Sequence, residues 1–133
     1  MTQAETQQLA LELLPRTFNI HRLPATSAVP DSISGTHLMC VLRSDQELSI
    51  VCDAQIQLES ASQVGPWRAL RVAGTLDFAL VGILSKLTSI LAQAEISVFV
   101  ISSYDTDYLL VRDESLNATR RALEQAGYPI NHA

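Results

Sequence analysis

Ile96-Ser97-Val98-Phe99-Val100-Ile101-Ser102-Ser103-Tyr104-Asp105-Thr106-Asp107-Tyr108-Leu109-Leu110-Val111-Arg112 is the stretch whose reading decides the fold. Its first seven residues are dense in β-branched and aromatic side chains, the composition of a strand. Tyr104–Asp107 is a polar connection, and Tyr108–Arg112 returns as a second strand, so the stretch reads as a β-hairpin. Upstream, Leu80, Ile83, Leu84, Leu87, Ile90, Leu91 and Ala94 recur at helical spacing, with Ser85, Lys86, Ser89 and Gln93 off that stripe. Asp77 is the expected N-cap of this helix, which runs through about Ala94. Before it, Trp67–Ala73 alternates as a strand. Downstream, Asp113 or Ser115 caps a second helix, Gly127 closes it at a C′ position, and Tyr128-Pro129-Ile130 begins a last short strand. The order strand–helix–strand–strand–helix–strand predicts an α+β, ferredoxin-like βαββαβ arrangement, with two helices on one face of an antiparallel sheet. Open sheet edges call for cover, and a homodimer is the expected solution.

The first half is built of shorter pieces. Thr17–Leu23 alternates apolar and polar residues, and Pro24 stops it. His37–Arg43 is a more continuous apolar strand, Ser44-Asp45-Gln46 a turn, and Leu48–Cys52 another strand. Gln3–Leu14 is compatible with a short helix. Glu59–Pro66 is polar and small and ends in Gly-Pro, which marks a loop and a division between lobes at 15–64 and 65–133.

Composition narrows the function classes. In 133 residues, 47% hydrophobic content against 17% charged supports a core without metal or disulfide staples. A net charge of −5 disfavours nucleic acid and anionic membrane surfaces as partners. Residues 1–14 lack a basic n-region and a long apolar run, and no segment approaches the roughly 20 apolar residues of a membrane span. Cys40 and Cys52 form no CxxC and read as buried, reduced thiols. The expectation is a cytoplasmic protein.

Catalytic arrangements fail on residue type or spacing. His21 lies on a strand, His37 begins one, and His132 falls in the expected tail. None has Cys, Asp or Glu at metal-ligand spacing, and HExxH, GxSxG and P-loop patterns are absent. The five glycines are scattered, so no loop cradles phosphate, and the 5% of aromatics do not interleave with basic residues. No enzyme, metal or cofactor is expected.

Two polar clusters remain. In Gly74-Thr75-Leu76-Asp77-Phe78-Ala79-Leu80-Val81-Gly82-Ile83 a strand runs into a helix start, where free N–H groups attract anions such as an α-carboxylate, and Gly82 leaves room beside them. The structural alternative is that Asp77 only caps and Gly82 only permits close helix–sheet packing. Ser102–Tyr108 concentrates hydroxyls, carboxylates and tyrosines able to read an ammonium, guanidinium or hydroxyl. The structural alternative there is a hairpin cemented by Asx and Ser/Thr turns. In a βαββαβ unit these two places are neighbours, which favours a shared site.

These residues carry a family resemblance. Val72-Ala73-Gly74-Thr75-Leu76-Asp77-Phe78, Gly82-Ile83-Leu84, Ile96–Phe99 and the Ser102–Val111 string resemble small ACT-domain proteins, related to the ACT pairs of aspartate kinase and of the animal cytosolic arginine sensor. Arg43–Cys52 matches that family's first-half pattern. The resemblance implies two tandem ACT-like lobes and a ligand held between two ACT units. It implies loop contacts at Asp77, Leu80, Val81, Gly82 and Ile83, hairpin contacts at Ser103, Tyr104, Thr106 and Asp107, and strand contacts from a partner at Ser97 and Val98. Asp77 replaces a glycine and Leu80 an acidic residue of the arginine-sensor pattern, so the implied site is for an amino acid in general. The resulting reading is a non-catalytic, allosteric small-molecule sensor. The alternatives are a ligand-free dimerisation module and a detached regulatory subunit of an amino-acid biosynthetic enzyme.

Overall fold

The computed structural model describes residues 9–33, 37–60, 62–73 and 82–133. Along the chain these form β1 (Leu11–Leu23), β2 (Cys40–Arg43), β3 (Leu48–Asp53), β4 (Ser62–Val72), α1 (Ile83–Gln93), β5 (Val98–Ser102), β6 (Asp107–Arg112), α2 (Leu116–Gln125) and β7 (Ile130–His132). Single 3-10 turns occur at Asp31–Ile33 and Asp113–Ser115. Two compact units partition the chain: Met1–Pro15 with Ala69–Ala133, and Arg16–Arg68. The first carries both helices and is called here the helical unit; the second is the strand unit. β1 and β4 each contribute residues to both.

In the helical unit, β4, α1, β5, β6, α2 and β7 follow the predicted strand–helix–strand–strand–helix–strand order. Leu87 and Leu91 of α1 and Leu123 of α2 are fully buried on Leu70, Val72, Leu109, Val111 and Ile130. Both helices therefore present their apolar stripes to the same strand face. The hairpin is as expected, with Val98 opposite Val111 and Ser102 opposite Asp107 in antiparallel register.

One strand was not foreseen. Leu11–Leu13 pairs in parallel with Ile130–His132, and hydrogen-bonded neighbours in this unit run β7–β1–β4–β6–β5. The sheet is thus not purely antiparallel. Leu11–Leu14 is strand rather than the end of a helix, and His132 is paired rather than frayed. The cause is burial: Leu11 and Leu13 alternate inward at 0% and 2% exposure, joining the core that Leu9 also packs against.

The helix ends are built alike. α1 starts at Ile83 with Gly82 in the N-cap, later than an Asp77 cap would place it. At its end Ile96 N–H donates to Leu91 O (2.9 Å) and Glu95 N–H to Ala92 O (3.0 Å). Tyr128 N–H donates to Leu123 O and Gly127 N–H to Glu124 O, both at 3.0 Å. Both are Schellman closures, which need a left-handed residue at C′. Gly127 (φ 97°) and Glu95 (φ 59°) occupy those positions.

In the strand unit β3 pairs antiparallel with both β1 and β2, and Pro24 follows the last residue of β1 as expected. Ser44 Oγ accepts from Gln46 N–H and Glu47 N–H, closing the predicted turn. Leu23, Ile33, Leu48, Ile50 and Cys52 form the core, with Ile56 and Leu58 against it. Ser62–Pro66 is not the expected loop but the start of β4. Gly65 permits this, because a Cβ there would collide with Asn19 Oδ1 and the Phe18 carbonyl. Cys52 is buried and Cys40 half-buried, both free; burial raises both thiol pKa values, and Asp53 adds to the rise at Cys52.

Candidate functional site

Geometry first tests whether the two polar clusters meet. Val72, the last residue of β4, offers its carbonyl to the Thr106 hydroxyl at 2.9 Å. Thr106 is only 6% exposed, so this bond is sheltered from water and fixes the hairpin turn beside the exit of β4. Asp77, Leu80 and Val81 lie outside the described residues. Gly82 and Ile83 are described, and they form the start of α1.

Gly82 sits at φ 90° and ψ 0°, and as the N-cap residue it supplies no side-chain cap. A Cβ at Gly82 would touch nothing within 4 Å among the described residues. Its role is therefore the left-handed turn, not the close helix–sheet packing weighed from the sequence. The helix start leaves N–H groups without intrahelical partners, a favourable place for an anion. Ile83 is half-buried against the core.

The hairpin divides into cement and display. Ser103 Oγ donates to the Thr106 carbonyl (2.9 Å) and accepts from Thr106 N–H (3.2 Å). Ser103 N–H also donates to that carbonyl at 2.8 Å. Ser103 and Thr106 therefore spend their polar groups holding the turn. Tyr104, at its tip, is 86% exposed. Asp107 is half-buried as the first residue of β6. Ser97 and Val98 are not brought to this place. Ser97 precedes β5, and Val98 is its first residue, at the far end from Ser102 and roughly 13 Å away at strand rise. β5 ends the strand order of this unit.

On the opposite face of the same strands lies a polar ladder the sequence reading did not single out. Arg71 Nε donates to Glu12 Oε1 at 2.9 Å, and Arg71 also bonds Tyr108. The bond to Glu12, more than any other cause, raises the Arg71 pKa. Alternation within β1 and β4 was the available signal, since Glu12 sits between buried Leu11 and Leu13 and Arg71 between buried Leu70 and Val72. Among the described residues no group of three or more His, Cys, Asp or Glu is placed to hold a metal, and no helix is long and apolar enough to cross a membrane.

A sheet face covered by two helices, with its first strand–helix exit tied to the following hairpin, defines the ACT class of small α+β domains. The ACT domain family matches residues 64–125, so this part of the chain carries an ACT domain. Among curated proteins, the "Cytosolic arginine sensor for mTORC1 subunit 1" of Pongo abelii is 31% identical over 127 residues, 88% of this chain and 38% of that protein. The chain thus spans well under half the length of the curated relatives it matches. A solved protein of Agobacterium tumefaciens is 31% identical with a TM-score of 0.88, covering 96% of this chain and 95% of that one. The regulatory subunit of aspartate kinase from Thermus flavus, 13% identical, superposes with a TM-score of 0.57 over 90% of this chain and 97% of its own, a likeness of fold alone.

Proposed function

We propose that the chain is a non-catalytic, amino-acid-binding regulatory module. It is read as two tandem ACT-like lobes, 15–64 and 65–133, working in the cytoplasm as a homodimer. The observation that carries the reading is the Thr106–Val72 bond, which sets the hairpin against the strand exit that leads to α1. In this reading the backbone N–H groups at the start of α1, near Gly82 and Ile83, receive the ligand carboxylate, and Asp77, Leu80 and Val81 belong to the same ligand loop. Asp107 pairs with its cationic group, and Tyr104 packs on its side chain. Ser103 and Thr106 shape the turn. Ser97 and Val98 belong to the same site only when a second copy supplies them, which fits their distance from the hairpin and the position of β5 at the end of the strand order. Ligand bound at such a seam favours the paired state, which makes the device allosteric. The arginine-sensing relative supports an amino acid as ligand, but the residues at Asp77 and Leu80 argue against carrying over arginine itself.

The inward bonding of Ser103 and Thr106 favours a second reading, a dimerisation module without ligand. A thermal-shift screen over the twenty amino acids separates the two. A ligand at about 100 times its Kd stabilises by about 2.7 kcal/mol, several degrees for a chain of this size. The expected result is a shift with at least one amino acid that Asp107→Ala removes. Twenty flat curves would end the ligand reading.

A further inference from the structure

The strand unit holds a groove separate from the proposed ACT site. β3 ends at Asp53 and β4 begins at Ser62, too few residues for a helix packed over the strands. A tight connector takes its place. Asp53 Oδ1 accepts from Gln55 N–H (3.0 Å), Ile56 N–H donates to the Asp53 carbonyl (3.0 Å), and Ile56 and Leu58 plug into the core. Between this connector and the strands lies a cavity of about 300 Å³ lined by Asn19, Ala54, Ile56, Gln57, Leu58 and Gln63. That is the lower end of the range for small-molecule sites.

The lining chemistry is unusual. Its polar side chains are all carboxamides, and none is ionised. The nearby Asp53 carboxylate is already engaged, facing Arg16 Nε at 3.6 Å and Gln55 N–H. Asn19, on β1, is only 8% exposed. Its position is enforced from behind, since Gly65 alone leaves room for Asn19 Oδ1. A charged ligand would lose its hydration there with no opposite charge in the lining. A carboxamide offers donors and an acceptor in one plane, matching another carboxamide in both.

The geometry points to a second binding site in the strand unit, selective for a small uncharged ligand bearing a carboxamide, with Asn19 as its anchor. The site is independent of the amino-acid reading of the helical unit. Propionamide is the probe, and propionate its charged counterpart. Titration of each into the full ¹⁵N-labelled chain, followed through the side-chain NH₂ resonances of Asn19, Gln57 and Gln63, reads the site directly. Propionamide is expected to give saturable shifts at these residues and none at Gly82 or Ser103–Asp107. Asn19→Leu and Gly65→Ala should each weaken binding at least tenfold, and propionate should not bind. Should Asn19→Leu fail to fold, Gln63→Leu, at an exposed position, is expected to weaken binding severalfold. Unsaturable shifts, equal binding of propionate, or propionamide binding indifferent to the variants would overturn the assignment.

Discussion

His21 is fully buried in the strand unit, its Nδ1 3.0 Å from Ser60 Oγ and its Nε2 without a partner among the described residues. Across the ladder it faces Ile50, so a proton on the ring would place a charge in apolar surroundings. Burial lowers its pKa below the ordinary 6.5. Above that value both folded and unfolded chains carry neutral His21, and the full stability is present. As pH falls through 6.5 the unfolded chain takes up a proton that the folded chain refuses, and stability declines until the lowered folded pKa is reached. The slope approaches but does not exceed about 1.4 kcal/mol per pH unit from this one group. Urea midpoints from pH 7.5 to 5.5 should fall for the wild type and stay flatter for His21→Leu. Parallel slopes would overturn the assignment of this pH dependence to His21. From the sequence His21 was legible as a strand residue but not as buried. Its inward neighbours Leu23, Ile50 and Cys52 come from a pairing of strands separated by the turn-rich segment after Pro24.

At the scale of elements, the periodic segments were the readable ones. The α1 stripe from Ile83 to Leu91 and the Val98–Val111 hairpin matched because each is specified by residues close together in the chain. The ends were less legible. A Schellman closure at Gly127 announces itself through glycine, whereas the same closure at Glu95 has no such mark. Glu95 holds φ 59° although its Cβ makes the left-handed region costly, by about 1 kcal/mol or more. Glycine adopts it freely but gives back part of the gain through the entropy of the unfolded chain. Glu95→Gly is therefore expected to stabilise the protein by about 0.5 kcal/mol, while Glu95→Ala, which keeps the Cβ, changes little. Chemical denaturation of the two variants checks this, and a Glu95→Gly chain less stable than wild type would contradict the strain argument. The candidate site shows the same division. The turn at Ser103–Thr106 was legible as a turn, but only the Thr106–Val72 bond revealed which of its hydroxyls are spent on structure.

At the scale of the whole molecule, local periodicity fails where a short strand is borrowed from far away. Leu11–Leu13 reads ambiguously in isolation, because Pro15 follows and no turn signal ties it to a neighbour. Its partner, Ile130–His132, lies at the other end of the chain, so nothing local specifies the pairing. Yet Leu11 and Leu13 are buried in the core under α1 and α2, Leu11 N–H donates to the Pro129 carbonyl (2.8 Å), and Ala73 N–H donates to the Ala10 carbonyl (2.9 Å). The lobe 65–133 is consequently not self-sufficient. Without residues 9–15 it loses the strand between β4 and β7 and exposes two leucine-sized holes, each costing about 2–5 kcal/mol. That sum consumes most of the stability available to a small domain. A fragment spanning 65–133 is expected to show weak amide dispersion and no cooperative melt. Fusion of residues 9–15 to it through a flexible linker should restore a cooperative transition, and the same fusion with Leu11→Asp and Leu13→Asp should not. A 65–133 fragment that melts cooperatively by itself would mean that the borrowed strand is an accessory of the fold and not a part of its core.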